Sequence, residues 1–146
     1  MLVSEILRIK GTSTTLYTTT PDAPVLEAVK VMAQLDIGSL VVMDHGKMAG
    51  LVTFAEVLRA LADRGGSLGD LTISVITERE PLTAAPTIDV MELRRSMLER
   101  HARYVPVMDG NMLLGVVSFH DVAKAVYEEQ SFENQMLKSY IQDSPA

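Results

Sequence analysis

The 146-residue chain contains no cysteine, which excludes a disulfide scaffold, a thiolate metal site and a cysteine nucleophile, and leaves a reducing compartment open without proving it. Tryptophan is absent and aromatic residues make up 5%, too few rings for a surface that recognises bases or sugars mainly by stacking. Basic residues are in the minority, 13 Lys+Arg against 19 Asp+Glu for a formal charge of −6. No overall field therefore draws the chain to phosphate backbones or acidic lipid, and neither nucleic acid nor a membrane is an expected partner. The longest apolar stretches, around Leu40–Met43 and Met112–Val117, fall far short of the roughly 20 residues that span a bilayer. Met1–Leu7 carries an acidic residue early and no basic region before its apolar residues, unlike a signal peptide. A cytoplasmic protein is expected. What the chain does hold is core material: 47% hydrophobic residues over a length that suits one ordinary domain or two small ones packed together.

The chain is also written twice. Displaced by 65 positions against itself, Leu16–Asp63 aligns without a gap on Pro81–Glu128 and shares Thr18/Thr83, Pro21/Pro86, Val25/Val90, Glu27/Glu92, Met32/Met97, Val42/Val107, Met43/Met108, Asp44/Asp109, Gly50/Gly115, Val52/Val117, Phe54/Phe119, Val57/Val122 and Ala60/Ala125. Chance at average composition would give roughly 6% identity, about a quarter of what is seen. A fainter echo sets Val3–Ile6 against Ile73–Ile76 at a displacement of 70, which places about five extra residues near Gly11–Thr15 in the first copy.

Within each copy the hydrophobic period changes along the chain. Val25, Ala28, Val29, Met32 and Leu35 fall on one helical face. Ser39–Met43 and Met48–Val52 are short β-rich runs around the turn Asp44-His45-Gly46-Lys47, a hairpin. From Phe54 a second helix follows, with Val57, Leu58 and Leu61 at helical spacing. The second copy repeats this with Val90/Leu93/Met97, Tyr104–Met108, Leu113–Val117 and Val122/Val126, and each copy opens with a strand, Leu16–Thr19 or Leu82–Ala84. The prediction is a mixed α/β (α+β) fold of two tandem β-α-β-β-α repeats packed about a pseudo-twofold axis, with related clefts between them. The divisions are residues 1–64, a Gly-rich linker at 65–72, a second repeat at 73–128, and a C-terminal helical extension and tail at 129–146. Arg64–Asp70 lacks the flanking strand, helix and Lys-Ser/Thr pair of a phosphate-cradling loop.

The candidate chemistry sits at the start of the second copy's last helix. Ser118 is placed as N-cap and Asp121 three residues on, which reads either as a capping box or as a ligand site. A helix N-terminus offers free N–H groups to phosphate, and a carboxylate one turn in can accept from both hydroxyls of a ribose. Arg103, just before the strand, suits phosphate by its fixed charge and forked donors, or is a plain exposed cation. Pro106 removes one ladder hydrogen bond and belongs at an edge or strand end. His45, His101 and His120 stand without a second ligand at metal spacing, so no metal is expected. In the tail, Phe132, Met136 and Tyr140 recur every four residues as an apolar stripe, expected to pack on its own module or on a dimer partner.

These residues resemble the cystathionine-β-synthase (CBS) domain pair. The resemblance rests on Tyr104-Val105-Pro106-Val107-Met108-Asp109 and Gly115-Val116-Val117-Ser118-Phe119-His120-Asp121, and on their first-copy counterparts Ser39–Asp44 and Gly50–Glu56, which lack the Pro and carry Glu in place of the terminal Asp. It implies a free-standing, non-enzymatic regulatory module that needs no cofactor, binds an adenosine-containing ligand (AMP, ADP, ATP, NAD or S-adenosylmethionine) in the clefts, forms a homodimer and reports to an unidentified regulated protein. The same resemblance implies a stronger cleft at Ser118, Phe119, His120, Asp121, Arg103, Tyr104, Val105, Pro106 and Thr83, and a weaker one at Thr18, Ser39, Leu40, Thr53 and Glu56. Lys10 or Arg79 could add a cation to either. The readings set against this are a structural dimerisation or interaction module with no ligand, and an enzyme acting on nucleotides, for which no nucleophile or base–metal constellation is present.

Overall fold

The computed structural model describes residues 1–10 and 16–143; the extra residues expected near Gly11–Thr15 lie outside them. The elements run α1 (Val3–Lys10), β1 (Thr18–Thr19), α2 (Val25–Leu35), β2 (Ser39–Asp44), β3 (Lys47–Thr53), α3 (Phe54–Asp63), α4 (Ile73–Ile76), α5 (Val90–Arg100), β4 (Tyr104–Asp109), β5 (Met112–Ser118) and α6 (Phe119–Asp143). Both hairpins are antiparallel and in the same register, Leu40 opposite Val52 and Val105 opposite Val117, with the ladder shifting at Val42/Met43 and again at Val107/Met108. The duplication seen in the sequence thus extends to the irregularities of the strands.

Each hairpin buries one face under its own helices. Val25, Ala28, Met32, Leu40, Val42, Val52, Val57 and Ala60 form one core, and Val90, Leu93, Met97, Val105, Val107, Val117, Val122 and Ala125 form the other. The helical faces read from spacing need two corrections, because Leu35 and Leu58 turn outward and are exposed; Leu58 instead lines a cleft.

The opening strands are shorter than expected, and differ. In the first repeat β1 pairs parallel with β2, Thr18 with Val41 and Thr19 with Val42, and the Val41 N–H donates to the Tyr17 carbonyl at 3.2 Å. In the second repeat only the single bridge Ala84 to Val107 remains of Leu82–Ala84. The cause is Pro106. It stands where Val41 stands, and without an N–H it cannot form the bond that would zip Leu82 and Thr83 onto β4.

The faint displacement-70 echo proves to be structural. α1 precedes the first repeat in sequence yet docks on the second core through Val3 and Ile6, while Leu71 and Ile73 dock on the first core. The backbone bonds are equivalent one for one. Val3 N–H donates to the Ile88 carbonyl, Ser4 N–H to that of Pro86, and Val90 N–H to that of Met1; correspondingly Ile73 donates to Ala23, Ser74 to Pro21, and Val25 to Leu71. The chain therefore exchanges one helix between modules.

The extension from residue 129 is continuous with the second repeat as far as Asp143, because α6 runs unbroken from Phe119 to Asp143. Phe132, Met136, Leu137, Tyr140 and Ile141 on its distal half are exposed, so the tail stripe does not pack on its own module.

Candidate functional site

Two clefts lie between the repeats, one of about 580 Å3 and one of about 610 Å3. They are related as the repeats are. The first joins the Ser118-Phe119-His120 helix start to Asp36, Ile37, Gly38 and Ser39 of the other repeat. The second joins Thr53-Phe54-Ala55-Glu56 to His101, Ala102, Arg103 and Tyr104. Asp36 and His101, equivalent residues, end α2 and α5 in the left-handed conformation with φ 53°. That sharp exit aims the following segment across to the opposite repeat's helix start. Arg103, Tyr104 and Phe119 line both clefts.

Ser118, Phe119, His120, Arg103 and Tyr104 therefore converge on one cleft as the sequence predicts, and Thr53 and Glu56 on the other. Asp121 stands one layer back. Its Oδ2 accepts from the Ser118 N–H at 2.9 Å, while the Asp121 N–H donates to the Ser118 hydroxyl at 3.0 Å, a reciprocal cap. The same oxygen receives Lys10 Nζ at 2.6 Å, and Lys10 also donates to the Val116 carbonyl at 3.2 Å. Burial pushes the Asp121 carboxyl up, but the hydrogen bond from Lys10 and those from Ser118 more than offset it, and the group is held below its ordinary value. A lowered carboxylate stabilises the folded chain at all pH above the ordinary carboxylate range, and this contribution is lost only as pH falls through the lowered value.

Other expected residues lie elsewhere. Thr83 is exposed, and Val105 and Pro106 are buried; none of them lines either cleft. Thr18 is exposed and Leu40 buried, again outside both. Ser39 faces the Ser118 cleft rather than the Thr53 cleft, because the strand start of one repeat forms the wall opposite the helix start of the other. Arg79 lines neither cleft and reaches the Ser74 carbonyl at 3.5 Å, whereas Lys10 lines the Ser118 cleft.

The chemistry of the clefts diverges. Glu56 is turned back on its own helix: Oε1 accepts from the Thr53 N–H at 2.8 Å and hydroxyl at 2.9 Å, and Oε2 faces Arg59 at 3.7 Å. Arg59, Arg100 and Arg103 line this cleft together with Glu56, Glu78 and Glu80, so cations and carboxylates are mixed there. Arg59 is not among the cations the sequence singles out, though its i,i+3 spacing from Glu56 is a visible signal. Gly38, which replaces Arg103 in the repeat alignment, has its own reason: a Cβ there would overlap the Tyr104 hydroxyl. Among the described residues there is no cluster suited to a metal ion and no helix long and apolar enough to cross a membrane.

A duplicated hairpin-and-helix unit with exchanged first helices and paired inter-repeat clefts defines a tandem-repeat α/β class of fold. The sequence pattern of the CBS domain matches residues 3–63 and 70–128, and the chain belongs to the CBS domain family. It is 34% identical over 148 residues to the mitochondrial CBS domain-containing protein CBSX3 of Arabidopsis thaliana, an alignment covering 96% of this chain and 71% of that one. Among solved structures it is similar to a putative signal-transduction protein with CBS domains from Burkholderia ambifaria, with 32% identity, a TM-score of 0.83, and 89% and 96% of the two chains covered. It is also similar to the CBS domain pair of protein MJ0100, solved in complex with 5′-methylthioadenosine and S-adenosyl-L-methionine, with 25% identity, a TM-score of 0.71, and 88% and 98% covered.

Proposed function

We propose that this chain is a non-enzymatic regulatory module that binds an adenosine 5′-phosphate compound between its repeats, most tightly in the Asp121 cleft, and passes its occupancy to another protein. The observation that carries the reading is the meeting of Lys10, Arg103 and the Asp121 carboxylate at one helix start. The N–H groups of that helix and the two cations suit a phosphate, and the carboxylate suits a ribose diol. The adenosine compounds in the MJ0100 structure support a nucleoside as the shared core of the ligand. In the Thr53 cleft acidic side chains stand among the arginines, which favours weaker or different binding there.

A thermal-shift panel of AMP, ADP, ATP, NAD and S-adenosylmethionine tests this. A true ligand at 100 times its dissociation constant stabilises by about 2.7 kcal/mol; no shift with any of the five would end the sensor reading.

The exposed apolar side chains of distal α6 further support a homodimer. Sedimentation at micromolar concentration is expected to give twice 16.0 kDa, and a monomer would refute it.

A further inference from the structure

Lys10 separates the cleft from the carboxylate. Lys10 lines the Ser118 cleft, whereas Asp121 does not, and the lysine ammonium is hydrogen-bonded to Asp121 Oδ2 and to the Val116 carbonyl. The side chains are 27% and 18% exposed, so the pair is only partly screened by solvent. In the first repeat the equivalent carbonyl, that of Leu51, is taken by the Glu78 backbone N–H at 2.9 Å, and among the described residues Glu56 meets no lysine from outside its helix. The pair is thus peculiar to one cleft. Its cation, moreover, comes from the end of α1, anchored on the second core by Val3 and Ile6, so its reach is set by a docked helix.

We propose that Lys10 is an ionic latch that makes the Asp121 cleft selective for phosphorylated nucleosides over the bare nucleoside. This rests on the reading of that cleft as a nucleotide site. A ribose diol that donates to Asp121 must displace the ammonium from the carboxylate. The ammonium then gives up its carboxylate, and a lysine that already lines the cleft can turn to a phosphate seated at the Ser118–His120 helix start. A 5′-phosphate supplies that anion. Adenosine does not, and so it pays the full cost of breaking the pair. Opening and reclosing the latch also places the occupancy of the cleft on α1, through the same side chain.

Calorimetric titration of AMP and of adenosine into the wild-type chain, Lys10→Met and Lys10→Arg separates the outcomes. In Lys10→Met adenosine should bind tighter than in wild type while AMP does not, so that the AMP-to-adenosine affinity ratio falls about tenfold, the scale of one charge-assisted hydrogen bond. Lys10→Arg should hold the ratio within about threefold of wild type, since the charge is kept. Lys10→Gln replaces Lys10→Met if the latter melts before it can be titrated. A ratio unchanged in the neutral variants, or adenosine weakened by them, overturns the latch while leaving the nucleotide site intact. If wild type and variants bind neither AMP nor adenosine, the site reading fails and takes the latch with it.

Discussion

Residues 53–56 and 118–121 sit at equivalent helix starts, each with a hydroxyl and a carboxylate closing hydrogen bonds on the other. Glu56, one methylene longer, reaches back far enough to take both the N–H and the hydroxyl of Thr53, and its second oxygen faces an arginine on the same helix. Asp121 is shorter, leaves the Ser118 hydroxyl to its own N–H, and takes its cation from α1. One capping motif can therefore be self-contained or open to another element, and a single methylene separates the two cases. A second contrast follows the same alignment. Gly50 lies against backbone, where an added Cβ would overlap the Glu78 carbonyl oxygen, whereas at Gly115 it would lie 3.0 Å from the flexible end of Leu7.

The glycines provide the largest expected effect. Gly50→Ala forces apart a backbone bridge and should cost about 3 kcal/mol, while Gly115→Ala, answered by a rotation of Leu7, should cost less than about 1 kcal/mol. Urea unfolding with unchanged slope measures both. Equal losses would mean that the two repeats meet their exchanged segments in the same way, and would remove the contrast.

The carboxylates come next. Asp121→Asn keeps an acceptor for the Ser118 cap but loses the charge that pairs with Lys10, and should weaken AMP, measured on the folded fraction, by about 1.5–3 kcal/mol and lower the melting temperature as well. Glu56→Gln should change AMP affinity by less than about 0.5 kcal/mol, because its charge faces only the exposed Arg59 on its own helix, at 3.7 Å. If Glu56→Gln weakens AMP as much as Asp121→Asn does, the clefts are chemically alike and the comparison breaks.

Much of this was legible from residue order. Period and repetition located the hairpins, α2, α3 and α5, and the Ser118–Asp121 box, because those depend on neighbours within a few residues. What was hidden depended on distant partners. The loss of the second opening strand follows from one missing N–H at Pro106, visible only once Tyr17 is seen to accept from Val41. The cleft to which Ser39 belongs follows from how the repeats face one another, which no local period records. Lys10 could be named as a candidate cation, but its pairing with Asp121 needed α1 to cross to the second module, and the only trace of that crossing was four residues of weak echo.

The exchanged helices also bear on how the chain comes together. A tandem repeat whose modules closed on themselves would have mostly short-range contacts and could fold one module after the other. Here each module is completed by a segment from beyond its own repeat, and the bond from Lys10 to Asp121 joins residues 111 apart. Such high contact order slows folding, because the loop must close before its contacts can form. It also makes the two modules a single cooperative unit, in which opening either one releases a helix that the other repeat carries.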